Sequence, residues 1–249
     1  MRTRFPAVLS LLAAGAIALV FAAPAMGRSY DVTITDLTGG GPTTGGGQPL
    51  TPPVVATHTG KNPIFKVGQA ASVGVREIAE NGNNNPLLAQ LGTDPFNQIS
   101  HFKQAGMLPL VPAGNPGSAN PNAVSFSIDG SNTARRLSFV SMLICTNDGF
   151  TGVNSLLLPG AVGQSTTKTT AGYDAHTEIN TENFVDIVPP CQGLIGPMTA
   201  EMGTTLSNPA IAEGGVISHH AGIFELDDLV RSIHGWTDPV ARIEVERTD

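Results

Sequence analysis

The chain has 249 residues, with 13 basic side chains against 20 acidic ones and a net charge of −7. Such a surface repels nucleic acid and anionic lipid and attracts cations, and no basic cluster exists beyond Arg135-Arg136, so a nucleic-acid partner is excluded. Abundant glycine (29) and proline (19) with only 13 % charged residues speak for a β-rich domain with many turns, against a helical bundle.

Residues 1–25 read as an export signal. Arg2 and Arg4 form a positive start, residues 7–23 are nearly uncharged, and small residues follow at Ala23, Ala25 and Gly27, with cleavage expected after Ala25. The apolar run falls short of the ~20 residues a membrane helix needs. The expectation is a mature chain, 26–249, that is secreted or periplasmic, forms one domain and keeps no stable membrane span. Without Arg2 and Arg4 it carries 11 basic against 20 acidic groups, a balance of −9.

The mature chain opens on Tyr30, Val32 and Ile34 alternating with polar residues, the pattern of a half-buried strand. Residues 38–53 are Gly/Thr/Pro-rich and predict a loop; they lack the helix context and lysine of a phosphate-binding loop. Residues 54–58 form a short extended segment. Residues 72–91 predict two helical pieces: Val75, Ile78 and Ala79 share one face, residues 81–85 turn, and Pro86 starts the second piece. Residues 107–122 are loop. Residues 123–128 alternate as a strand, and Asp129-Gly130 turns the chain.

Residues 137–145 predict a central, mostly apolar strand, and 153–158 another, stopped by Pro159-Gly160. A weaker strand is expected over 183–188 and a last one over 240–246. Strands at this spacing predict a mainly β, antiparallel β-sandwich with one or two short helices and long Gly/Pro-rich loops.

The two cysteines, Cys145 and Cys191, predict a disulfide in an oxidising compartment. Cys145 precedes Asp148 by three residues, so the bridge would fix the base of the acidic loop NDGFTG at 147–152. A second acidic loop, YDAHTE at 173–178, carries Asp174 and Glu178. Ca²⁺ takes six to eight oxygens at ~2.3–2.6 Å, and loops of this composition supply them. If the loops meet, Asp148, Asp174 and Glu178 surround one ion; if not, they are solvated turns. His176 between the carboxylates introduces a transition-metal alternative, and His219-His220 reads as a polar loop pair. No H-E-x-x-H, C-x-x-C, G-x-S-x-G or G-x-G-x-x-G pattern occurs. The same carboxylates suit glycoside hydrolysis, but aromatic content is only 5 % and no apolar pocket for one of them is evident.

Several segments together resemble bacterial exported proteins with a spondin domain: DVTITDLT at 31–38, QPLTPPVVATH at 48–58, IAENG at 78–82, FVSML at 139–143, NDGFTG at 147–152, YDAHTE at 173–178 and HHAGI at 219–223. The resemblance implies a sandwich like that of C2 domains with a bound calcium. Its carboxylates lie in a D-W-F-V-G-like and a W-D-A-G-T-D-like loop, which map onto Asp148, and onto Asp174 and Glu178. This chain departs from that pattern: Gly149 replaces the Trp, His176 the Gly, and Glu178 the last Asp. The resemblance implies a non-catalytic, calcium-binding adhesion or binding module of the cell surface or matrix, whose partner is an unidentified extracellular or envelope protein or glycan. The competing expectations are a secreted hydrolase and a ligand-free structural envelope protein.

Overall fold

The computed structural model describes residues 27–39, 46–60, 64–94, 98–113 and 119–249. The expected export signal lies outside them, as does part of the Gly-rich loop. Ten strands appear in the described residues: β1 (Arg28–Asp36), β2 (Val54–His58), β3 (Ile99–Gln104), β4 (Ala123–Gly130), β5 (Arg136–Met142), β6 (Gly149–Leu157), β7 (Ser165–Thr170), β8 (Gly172–Asp174), β9 (Ser218–His219) and β10 (Ala241–Arg247). Four short helices accompany them: α1 (Val73–Asn81), α2 (Asn85–Gly92), α3 (Pro190–Ile195) and α4 (Arg231–His234). Among the described residues, no helix is long and apolar enough to cross a membrane.

The strands form two antiparallel sheets, one ordered β4-β1-β10-β7 and the other β3-β2-β5-β6-β8-β9. Tyr30, Val32 and Ile34 of β1 point inwards with Ile243 and Val245 of β10, and meet Val55, Leu137, Phe139 and Val153 of the larger sheet. The mainly β sandwich read from the sequence is therefore the architecture found. A second core covers the other face of the larger sheet: Val54, Ala56, Val140, Met142 and Phe150 pack against Val75, Ile78 and Leu87 of α1 and α2. This third layer explains why β2 is buried along its whole length instead of alternating.

Local signals set the helix ends. The Ser72 hydroxyl accepts from Val75 N at 3.3 Å, and Gly82 closes α1 with φ 62°, a left-handed cap that favours glycine. Pro86 lies in the first turn of α2.

Several expectations are corrected. Residues 183–188 contain a 3-10 turn at Phe184–Asp186, not a strand: Asn183 Oδ1 accepts from Val185 N at 2.9 Å, and this local bond competes with sheet pairing. Asp129 and Gly130 do not turn the chain but continue β4, opposite Ser29 and Arg28. Four helices stand where one or two were expected; α3 and α4 are too short to show a period.

Candidate metal centre

The first acidic loop is a tight reversal between β5 and β6. Leu143 N donates to Gly149 O at 2.9 Å, and Gly149 N donates to Thr146 Oγ1, also at 2.9 Å. A Cβ on Gly149 would sit 2.4 Å from that hydroxyl, which is why the Trp of the family pattern has no room in this turn. Cys145 is bonded to Cys191 at a Cα–Cα distance of 5.0 Å, across 46 residues. Gln48 clamps the same residue from behind, accepting from Cys145 N at 2.9 Å and donating to its carbonyl at 3.1 Å.

Strand β8 carries the second acidic loop alongside. Gly149 pairs with Asp174 and Phe150 with Tyr173, so the start of β6 and the end of β8 bring the two loops together. Residues 172–174, read as loop, are thus a strand. Asp148 Oδ2 accepts from Thr177 N at 2.7 Å, Glu178 N at 3.1 Å and Thr177 Oγ1 at 3.2 Å. Its other oxygen, Oδ1, is buried without any hydrogen-bond partner.

Asp174 Oδ1 accepts from His176 N at 2.7 Å, and Oδ2 from Asn180 Nδ2 at 2.8 Å. Burial, then the negative charge of Asp174, push the Asp148 carboxyl up to about 7, against the pull of its three donors. Glu178 is also raised to about 7, by burial first and then by Glu80, Asp148 and Asp186, with the Asn208 amide acting against them.

Asp148 and Asp174 are therefore electrostatic neighbours, and the main chain of Glu178 binds Asp148. The Glu178 carboxylate extends further, where Oε1 accepts from Asn208 N at 2.8 Å. Among the described residues, the one set of three Cys, His or acidic ligand atoms within 4.8 Å of one another is Cys145, Cys191 and His234. Its two sulfurs are already spent in the disulfide. Asp148, Asp174 and Glu178 do not form such a set, so a shared calcium requires at least one of their side chains to move.

The residues nevertheless fit a hard cation. A fully buried carboxylate oxygen without a donor, next to a second carboxylate, is stabilised by a positive ion more than by any neutral group. Two further residues were weighted too lightly in the sequence. His176 holds φ 51°, a left-handed backbone suited to the Gly of the family pattern, and its Nε2 lies 2.8 Å from Ser218 Oγ. His220, expected to be a polar loop residue, is buried against Trp236 with ring centroids 5.0 Å apart. Its Nδ1 accepts from Gly222 N at 3.0 Å, which leaves the Nε2 hydrogen unpaired. Burial holds this imidazole at about 4, and so neutral, despite the field of Asp174. Its neighbour His219 faces the other way and meets Asp238. His219 ends β9 and His220 follows it in extended backbone, so the two side chains part, one to each face.

No curated protein matches the chain. The Spondin_N family model matches residues 49–179, more than half of the sequence and the whole stretch from β2 through Glu178. With its sandwich architecture and its paired acidic loops, the chain belongs to the Spondin_N family.

Proposed function

We propose that the protein is an exported, non-catalytic binding module whose loop rim is organised by calcium. Asp148 and Asp174 hold the ion and Glu178 closes the site. Asn147, Thr177 and nearby carbonyls supply further oxygens. The observation that carries this reading is Asp148 Oδ1: buried, without a donor, and repelled by Asp174. Calcium supplies the missing counter-charge and locks the two loops, and the locked rim presents a fixed surface to an extracellular or envelope protein or glycan. The Cys145–Cys191 bridge fits an oxidising compartment, which supports export.

Thermal unfolding with and without Ca²⁺ tests this. At a free concentration about a hundredfold above Kd, binding adds ~2.7 kcal/mol, or roughly 5–10 °C in Tm for a domain of this size. Asp148→Asn with Asp174→Asn should abolish the rise, and a flat response in the parent protein rejects the site.

One arrangement favours hydrolysis as a second reading. Ser218 Oγ lies 2.8 Å from His176 Nε2, and His176 Nδ1 lies 3.5 Å from Glu213 and 3.6 Å from Asp174. A nucleophile, a base and an orienting carboxylate follow one another in that order. Turnover of an ester, glycan or phosphate panel that disappears in Ser218→Ala would establish this reading over the binding one.

A further inference from the structure

The net charge is not spread evenly along the chain. Residues 169–230 hold nine acidic side chains and no Lys or Arg, whereas residues 26–168 and 231–249 together balance, 11 acidic against 11 basic. Among the described residues, none of the nine forms an ion pair with a lysine or arginine. The same stretch exposes large apolar side chains: Val185 is 47 % exposed, Met202 80 %, Phe224 53 % and Leu226 64 %.

Hydrogen bonds bring the segments that carry them together. Val185 lies in the 3-10 turn at Phe184–Asp186. Phe184 N donates to Asp228 Oδ2 at 2.9 Å and Asn183 Nδ2 to Asp227 Oδ2 at 2.8 Å, which seats residues 224–228 beside that turn. Thr204 N donates to Ile187 O at 3.1 Å, and a Cβ on Gly203 would stand 2.3 Å from the same oxygen, so residues 202–204 lie against the end of the turn. Glu201 comes up to Asp228 there: desolvation first, then Asp228 and Asp227, raise its carboxyl above the usual range. Buried Glu182 accepts from Phe224 N at 2.6 Å and from Leu226 N at 2.7 Å, and Glu225 between them holds a left-handed φ of 63°. A buried carboxylate thus fixes the loop that holds Phe224 and Leu226 in solvent.

Apolar side chains held in water by a built loop mark an interface, and an exposed methionine adapts to the shape of what covers it. The charge around them sets the sign of the partner. A basic segment neutralises Glu201, Asp227 and Asp228, whereas a second copy of the chain or an anionic lipid surface meets like charge. We propose that this face binds a basic amphipathic segment of a partner polypeptide, its apolar side on Val185, Met202 and Leu226 and its lysines or arginines on Glu201, Asp227 and Asp228. The proposal rests on the binding-module reading, whose partner class it names, and not on calcium, since none of these residues is a proposed ligand.

Fluorescence anisotropy of the full chain with a labelled peptide of about 14 residues, leucines at i, i+3 and i+4 spacing and lysines elsewhere, tests the proposal. One saturable site per chain is expected, in calcium and in chelator alike, and it should be retained in Asp148→Asn. Met202→Ser with Leu226→Ser should weaken binding at least tenfold, and so should Glu201→Gln with Asp227→Asn. All four positions are exposed, and an unchanged Tm shows that each pair folds. No saturable binding, binding untouched by either pair, or equally tight binding of an all-lysine peptide overturns the proposal. A dimer in sedimentation that Leu226→Ser dissolves would give the face to a second copy and overturn it too. A flat calcium response with peptide binding intact would sink the calcium reading alone.

Discussion

Asp148 is the side chain on which the proposed cation site rests. Three donors satisfy Oδ2, so the loop is built even when the residue is neutral, but among the described residues nothing satisfies Oδ1. With its carboxyl raised to about 7, a proton and a calcium ion compete for the same oxygen in the physiological range. Protonation is nearly complete at pH 6 and small at pH 8. Calcium affinity should therefore fall between pH 8 and pH 6, about tenfold for the Asp148 proton alone and further where Glu178, raised to the same range, also gives up a proton on closing the site. Calorimetric titrations at the two pH values check this, and an affinity constant across the range would show that Asp148 is not a ligand. Asp174, already bonded to His176 N and Asn180, contributes charge from a fixed position, so Asp174→Asn should reduce the affinity without abolishing the pH dependence.

The elements that carry the site are joined covalently behind it. Cys145 lies in the turn after β5 and Cys191 in α3, so their bond ties the first acidic loop to the segment that follows the second. In the chain-entropy view a closed loop of this length adds about 4 kcal/mol. Replacing both cysteines by serine should cost on that order in denaturant unfolding, and should lower calcium affinity by loosening the base of the NDGFTG turn. Unchanged calcium binding in that variant would show that Gln48 alone holds the turn.

This level is also where the sequence was most and least readable. β1, β2, β4, β5 and β10 were legible because their apolar residues alternate or run continuously, and α1 because Val75, Ile78 and Ala79 share one face before the turn at 81–85. β7, which reads STTKTT and is largely exposed at the edge of its sheet, has no apolar signal to find. β8 and β9 hold three and two residues, and only their pairing to β6 and to each other makes them strands. Residues 183–188 failed for the opposite reason. Phe184, Ile187 and Val188 are buried like strand residues, but the Asn183 side chain captures the backbone first. At the site, the acidic motifs marked the two loops but left open whether they meet, which the pairing of β6 with β8 decides. The outward reach of Glu178 towards Asn208 was not legible, because a side-chain direction has no sequence signal.

Across the whole molecule, buried carboxylates give stability an unusual dependence on pH. Asp36, at the end of β1, is also raised to about 7 by burial, against two bonds from Thr38, and it lies on the other sheet from the proposed calcium site. Asp36, Asp148 and Glu178 thus share one sign: each is favoured neutral in the folded chain and ionises readily in the unfolded one. Their contribution is fully present below the ordinary carboxylate range, near pH 4, and is lost as pH rises towards about 7. These carboxylates should therefore lower the melting temperature of calcium-free protein between pH 4.5 and 7.5, against the buried imidazoles of His58, His220 and His234, whose lowered pKa values act in the opposite direction. Calcium should reverse the loss for Asp148 and Glu178 but leave the part due to Asp36. Asp36→Asn should flatten only that residual slope, since its amide oxygen still accepts from Thr38 and the side chain no longer titrates. Melting curves across pH for the parent and Asp36→Asn, each with calcium or a chelator, separate the two contributions. If the chelated parent and Asp36→Asn show the same pH slope, Asp36 is solvated or paired in solution, and if calcium leaves the slope of the parent unchanged, the electrostatic basis of the proposed calcium site fails.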